Sequence, residues 1–188
     1  MLFRSPEITD GNNIKRDALI VNMDAWLTFF GIWIAEGWCC KRKSMYSIQF
    51  AVNKQRVKDA LYPAIESLGF KYNVTKAEKC IINNIQLYSY MKTYSVGAVN
   101  KKLPEWTWEL SSAQSQKLLE SMVLGDGSYL NAAKTRIIYY SASDKLADDV
   151  MKLALHSGWA ANLSVHHQSG NQTTMKDGRI VKATKPML

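Results

Sequence analysis

Glu36 and Asp126 are the residues of this 188-residue chain best placed to do chemistry. Glu36 ends the run Phe29-Phe30-Gly31-Ile32-Trp33-Ile34-Ala35-Glu36-Gly37. Ninety residues later, Asp126 ends Leu119-Glu120-Ser121-Met122-Val123-Leu124-Gly125-Asp126-Gly127. Each run reads as a mostly apolar helix closed by a small residue, one carboxylate and a glycine. A helix carries partial negative charge at its carboxyl end, so an acid there is electrostatically disfavoured. Two acids so placed point to a positive ligand against both, most simply a divalent metal. Mg²⁺ fits, because it takes oxygen ligands and keeps waters that can serve as nucleophile.

The same runs carry the means of bringing the acids together. Gly31 and Ala35 are four apart, and Ser121 and Gly125 match them. Small residues at that spacing let two helix backbones approach closely. If the helices cross there, Glu36 and Asp126 emerge side by side, where they do not both stay ionised cheaply without a cation.

The repetition reaches further along the chain. Gly69-Phe70-Lys71-Tyr72-Asn73-Val74-Thr75 and Gly158-Trp159-Ala160-Ala161-Asn162-Leu163-Ser164 share glycine, aromatic, asparagine, aliphatic and hydroxyl residues at the same gaps. A helix is predicted before each, capped by Asn53 or Ser143 and left through Gly69 or Gly158. A duplicated supersecondary unit explains this more economically than coincidence.

The first unit is predicted as helix 24–36, strands near 38–41 and 44–52, helix 54–68, strands near 70–76 and 82–88, and a short helix over 90–96. Tyr46, Ile48, Phe50 and Val52 alternate with Ser47, Gln49 and Ala51, giving one apolar and one polar sheet face. Pro63 is expected to kink the helix of Val57, Leu61, Ile65 and Leu68. The second unit is predicted as helix 113–125, a strand near 135–142, helix 144–157 and a strand near 160–167. A hairpin turn is expected at Asp177-Gly178, and no closing helix follows. Ser111 and Gln114 have capping-box spacing for the second motif helix. The division is therefore an arm over 1–20, repeats over 21–99 and 112–188, and a linker over 100–111.

Composition narrows the partners. Lys and Arg number 24 against 16 Asp and Glu, a formal charge of +8 that favours nucleic acid. No apolar stretch has membrane-spanning length, and Met1–Asp10 lacks a signal-peptide core, so a cytoplasmic protein is expected. Cys39, Cys40 and Cys80 lack the spacing of a zinc site or a disulfide framework. His166-His167 has no third ligand at a helpful distance. Trp26, Trp33, Trp106 and Trp108 read as packing residues.

The paired runs Gly31–Gly37 and Met122–Gly127 resemble the doubled motif of the LAGLIDADG (DOD-type) homing endonucleases, the two-motif kind often carried inside inteins. Tyr139–Val150 is similar to a second-half segment of intein endonucleases, and Lys102-Leu103-Pro104-Glu105-Trp106 to their linker. The resemblance covers about positions 20–170 and implies an α+β fold. Two pseudo-symmetric αββαββα repeats would meet at the motif helices, with saddle-shaped antiparallel sheets in the DNA major groove. It further implies that Glu36 and Asp126 are catalytic and bind Mg²⁺, with Mn²⁺ a possible substitute. Both strands of a long asymmetric duplex site would be cut by a monomer, leaving short 3′ overhangs.

The chain departs from that pattern in three ways. Glu36 replaces the commoner Asp, the assisting basic residue of each site cannot be located by spacing, and the last helix is missing. For DNA contact, Lys41, Arg42 and Lys43 fall in the first hairpin turn, and Ser47 and Gln49 on the polar face of the next strand. Lys134 and Arg136 fall in the corresponding second-half region. Lys and Arg there suit phosphates, while Gln and Arg can read base edges. A ninety-residue offset sets Gln49 opposite Tyr139 and Ser47 opposite Ile137. Two other readings remain open. A non-cleaving binder, such as a maturase or regulator, would have lost an acid, and both are present. Protein splicing needs an N-terminal Cys or Ser and a C-terminal His-Asn, whereas this chain begins at Met1 and ends Lys185-Pro186-Met187-Leu188.

Overall fold

The structure, a computed structural model, describes residues 2–4, 7–9, 15–165, 172–174 and 180–182. It opens with four short strands, β1 (Leu2–Arg4), β2 (Ile8–Thr9), β3 (Lys15–Arg16) and β4 (Ile20–Asn22). β1 pairs with β4 and β2 with β3, so the expected loose lead-in is instead strand-paired. Backbone pairing needs no side-chain periodicity, which is why the sequence gives no sign of it.

Helix α1 (Met23–Glu36) follows, its first turn capped by the Asn22 side chain accepting from the Ala25 amide at 3.0 Å. The chain continues through β5 (Gly37–Arg42), β6 (Met45–Ala51), α2 (Gln55–Ser67), β7 (Asn73–Val74), β8 (Lys79–Asn83) and α3 (Ile85–Met91). Two 3-10 turns, Ala98–Asn100 and Glu105–Glu109, lead to α4 (Ser112–Asp126). Then come β9 (Gly127–Tyr129), β10 (Ile137–Tyr139), α5 (Asp144–His156) and a strand pair, β11 (Gln172–Thr174) with β12 (Ile180–Lys182). The class is α+β with antiparallel sheets, the largest running β5-β6-β8-β7. None of the described helices is long and apolar enough to cross a membrane.

α1 is apolar nearly all round, and such a helix is stable only when covered on every side. It packs most extensively against α4, and also against α2 and the strands that follow it. Trp26, Phe29, Phe30 and Trp33 are buried, with Phe29 edge-on to Phe50 and Phe30 edge-on to Trp106. The Trp106 indole donates to the Tyr90 hydroxyl at 2.8 Å. Trp108 lies under the Lys152 ammonium, 3.9 Å from its ring centre. All of these tryptophans pack, as their sequence context implies.

Several local expectations are corrected. α2 starts at Gln55 after Lys54, whose carbonyl takes the Val57 and Lys58 amides at 3.0 and 3.3 Å, so Asn53 is not its cap. Pro63, where a kink is expected, lies inside α2. The strand expected to 88 stops at Asn83, because the Asn84 side chain accepts from the Leu87 amide at 2.9 Å and starts α3. That cap also moves the short helix forward, from the expected 90–96 to Ile85–Met91. No strand forms over residues 160–165. His166-His167, Asp177-Gly178 and any closing element beyond residue 182 lie outside the described residues. The Ser111–Gln114 capping box and the Ser143 cap of α5 form as expected. Gly69 and Gly158 leave their helices at φ +75° and +80°.

Strand register corrects the offset between the halves. Gly37 faces Phe50 and Trp38 faces Gln49, while Gly127 faces Tyr139 and Ser128 faces Ile138. Gln49 thus corresponds to Ile138 and Ser47 to Arg136, one residue off the ninety-residue alignment. A shift of one moves every side chain to the other sheet face. It turns Tyr139 inward like Phe50, its hydroxyl enclosed and without a hydrogen-bond partner among the described residues.

Candidate functional site

The α1–α4 crossing is built on the small residues. A Cβ added at Gly31 would stand 2.7 Å from the Ser121 Cβ and 3.0 Å from the Leu118 carbonyl oxygen. One added at Gly125 would collide with the Ala35 Cβ and stand 3.0 Å from the Glu36 Cγ. Gly31 with Ser121 and Ala35 with Gly125 are thus the two contact points, and both helices end just beyond the second. Each passes directly into a strand, through Gly37 at φ −109° and Gly127 at φ −129°. That exit leaves the last carbonyls without helical partners.

Cations take those carbonyls. The Lys101 ammonium donates to the Ile34 and Ala35 carbonyls at 2.5 and 3.2 Å, at the end of α1. The Lys54 ammonium donates to the Gly125 carbonyl at 2.6 Å, at the end of α4, and to the Glu36 carboxylate at 2.7 Å. Arg56 adds bonds to the Leu124 and Gly127 carbonyls at 2.8 and 3.0 Å. Positive charge at a helix C-terminus is favourable, and here it also offsets two acids.

Asp126 shows how costly the pairing is. Burial pushes its carboxyl up to about 6, Glu36 adds to the rise, and Lys101 and Lys54 oppose it. Burial conversely lowers the Lys101 ammonium, against the pull of Asp126 and Glu36. Between the ordinary carboxyl value of 3.8 and about 6, the folded state holds a proton that the unfolded chain has lost. The contribution of Asp126 to stability therefore falls as pH rises through that window. We expect the melting temperature in chelator, taken as the difference between wild type and Asp126→Asn, to fall from pH 4 to pH 6. Mg²⁺ should reverse that fall above pH 6, since a bound metal needs the ionised carboxylate. A difference that stays flat or rises would place Asp126 outside a buried, acid-coupled site.

A metal is compatible with these residues. The side-chain donors are two carboxylates, hard oxygens from different helices, where lysine ammonium groups already neutralise the charge. No group of three His, Cys, Asp or Glu is found among the described residues. Mg²⁺ needs none, since it is held by one or two carboxylates together with waters and substrate phosphates. Cys39 and Cys80 do not compete, as burial pushes both thiols up to about 12.

The structure brings together the acids and all four small residues. It also brings in Lys54, Arg56 and Lys101, which sequence reasoning missed. Their only signal was positive charge in a connector and at a helix start, where lysine is most often simply solvated. The residues chosen for nucleic-acid contact lie on the strands and turns that follow the two motif helices. Lys41, Arg42 and Lys43 are exposed at the β5–β6 turn, with Lys41 stacked over Tyr46. Ser47 and Gln49 line a groove on the outer sheet face together with Arg42, Asn73 and Lys79. Ser47 is nevertheless buried, and its hydroxyl donates to the Cys40 carbonyl and accepts from Gln49. It orients Gln49 rather than presenting a free group. Lys134 and Arg136 are exposed in the β9–β10 loop, Lys134 over Tyr129.

No protein-family model matches the chain. It is similar to the ATP-dependent Clp protease proteolytic subunit of Chlamydomonas moewusii, 36% identical over 164 residues, covering 82% of this chain and 16% of that protein. It is similar also to the DNA-directed RNA polymerase subunit beta C-terminal section of Stigeoclonium helveticum, 32% identical over 209 residues, 90% of this chain and 19% of that one. The DNA polymerase II large subunit of Thermococcus kodakarensis is 26% identical over 151 residues, 78% of this chain and 8% of that protein. The chain thus spans less than a fifth of the length of any of these three relatives.

Proposed function

We propose that the chain is a two-motif LAGLIDADG homing endonuclease, of the kind carried inside inteins, that hydrolyses phosphodiesters in both strands of duplex DNA with Mg²⁺. One observation carries this reading: Glu36 and Asp126 end two helices that cross on Gly31, Ser121, Ala35 and Gly125, with Lys54 and Lys101 at the helix ends. The two halves would be αββαββα repeats about a pseudo-dyad between α1 and α4. The similarities support a module with its own function. Three proteins with different printed names each share with this chain only a small fraction of their length, as an inserted module would.

When bound, Mg²⁺ would supply Lewis acidity and an activated water. Glu36 and Asp126 would be the side chains that hold it. Water attacks phosphorus, its proton leaves to solvent, and the departing 3′ oxygen takes one up. The Lys54 and Lys101 ammonium groups keep positive charge beside the negative charge that develops on the phosphoryl oxygens. Lys41, Arg42, Lys43 and Lys134 would serve the backbone, while Gln49 from β6 and Arg136 from the β9–β10 loop would read bases. Action would be in a DNA-containing compartment, cytoplasmic in a cell without a nucleus.

Both acids come from one chain, so the functional unit is a monomer on an asymmetric site. A single-motif protein must dimerise, which imposes a near-palindrome. Ser47 and Gln49 in one half against Arg136 and Ile138 in the other give the halves different reading surfaces. Light scattering of the complex, with a footprint of its site, should show one protein on a non-palindromic duplex. The logarithm of affinity should fall linearly with the logarithm of salt concentration. Two chains on a palindrome, or binding indifferent to salt, would overturn this reading.

A further inference from the structure

Lys101 occupies a stretch with neither helix nor strand, just after the 3-10 turn Ala98–Asn100. Such a segment has no ladder of backbone bonds to hold it, and a four-carbon side chain multiplies any error in its backbone position. Its ammonium nonetheless meets the Ile34 carbonyl at 2.5 Å. What holds it comes from α5. The Ser143 hydroxyl donates to the Lys101 carbonyl at 2.7 Å while accepting from the Leu146 amide at 3.2 Å. The Asp149 carboxylate accepts from the Leu103 amide at 2.8 Å, and its other oxygen takes the Lys145 ammonium at 2.9 Å.

Asp149 is only 3% exposed, and Leu103 is buried beside it. A carboxylate is rarely buried without a specific partner. Its helix neighbours Asp144 and Asp148 stay at the surface. Ser143 is buried too, and it is fixed in turn by Ser141, which accepts from its amide and donates to its carbonyl at 3.0 Å. Two buried polar groups on one helix therefore grip the backbone on either side of Lys102.

We propose that Ser143 and Asp149 are positioning residues: they clamp the inter-helix connector to α5 and so set the reach of Lys101 to the Ile34 and Ala35 carbonyls at the end of α1. The second half of the chain would thus place a cation that serves the end of the first motif helix. The consequence for cleavage rests on the function proposed above, whereas the clamp itself does not.

Lysine side-chain ¹⁵N NMR of the full chain tests it, with the Lys101 signal identified by its loss in Lys101→Met. An ammonium held on two carbonyls exchanges its protons slowly and gives a visible signal. We expect that signal in wild type, its loss in Ser143→Ala and Asp149→Ala, and its return in Asp149→Asn, which still accepts from Leu103. Asn84→Ala removes the α3 cap without touching the clamp and should leave the signal in place. If Asp149→Ala does not fold, folded Ser143→Ala decides between the outcomes. A signal absent from wild type, or unchanged in folded Ser143→Ala, overturns the clamp. In single-turnover cleavage, Ser143→Ala should slow cutting about tenfold to a hundredfold and add nothing to Lys101→Met. A wild type that never cuts would fail the nuclease reading and leave the NMR test of the clamp unaffected.

Discussion

We expect Glu36→Gln and Asp126→Asn each to abolish the proposed cleavage, a fall of about a thousandfold or more, while DNA binding stays near the parental level. Both substitutions keep side-chain shape and remove the charge needed to hold a cation. Their structural effects differ, which separates chemistry from folding. Asp126 is a partly buried acid held up to about 6, so its neutral amide removes a repulsion from the metal-free protein. Glu36 has the Lys54 ammonium at 2.7 Å, so its amide keeps an acceptor for that lysine but gives up the ion pair. We therefore expect Asp126→Asn to melt no lower than wild type at neutral pH, and Glu36→Gln to melt slightly lower. Binding of either variant holds or tightens, because removing a carboxylate reduces repulsion of phosphate. Cutting at the parental rate by either variant would show that the cation is held elsewhere.

We expect Gly125→Leu and Gly31→Leu to damage folding more than any surface change of similar size. At both positions the obstacle is the opposite helix itself: the Ala35 Cβ for Gly125, and the Ser121 Cβ and Leu118 carbonyl for Gly31. Such neighbours cannot swing aside as the tip of a long side chain can, so the helices must separate. Overpacking of this kind costs about 1–3 kcal/mol or more, a large part of the stability of a small protein. Alanine at either site should cost less than leucine but remain measurable, since even a Cβ is too close. Thermal melts of the purified variants check this. Unchanged melting temperatures would mean that α1 and α4 do not touch at these residues.

The elements that position the acids were legible because their signals are local. The apolar runs, the Ser111–Gln114 capping box, the Ser143 cap and the glycine exits at Gly69 and Gly158 each act within a turn or two of chain. The small-residue pairs were legible for a different reason: nothing but close helix contact explains Gly31 and Ala35 recurring as Ser121 and Gly125. What failed to show was whatever depends on distant partners. Lys54 and Lys101 look like ordinary charges until α1 and α4 bring helix ends within their reach. Asp149 looks like one of several acids on α5 until the connector lies across it. The α3 boundary was missed because Asn84 competes as a cap with a run that otherwise alternates like a strand. The offset between halves failed by one residue, since spacing between motifs carries no information about strand register.

Selection of cleaved sites from a randomised duplex library bears most directly on the central claim. With folded protein and Mg²⁺ or Mn²⁺, one long, asymmetric sequence cut on both strands should be enriched, and chelator or Asp126→Asn should remove the enrichment. A folded sample that enriches no cut site with either metal would contradict the assignment of Glu36 and Asp126 as the acids of a nuclease.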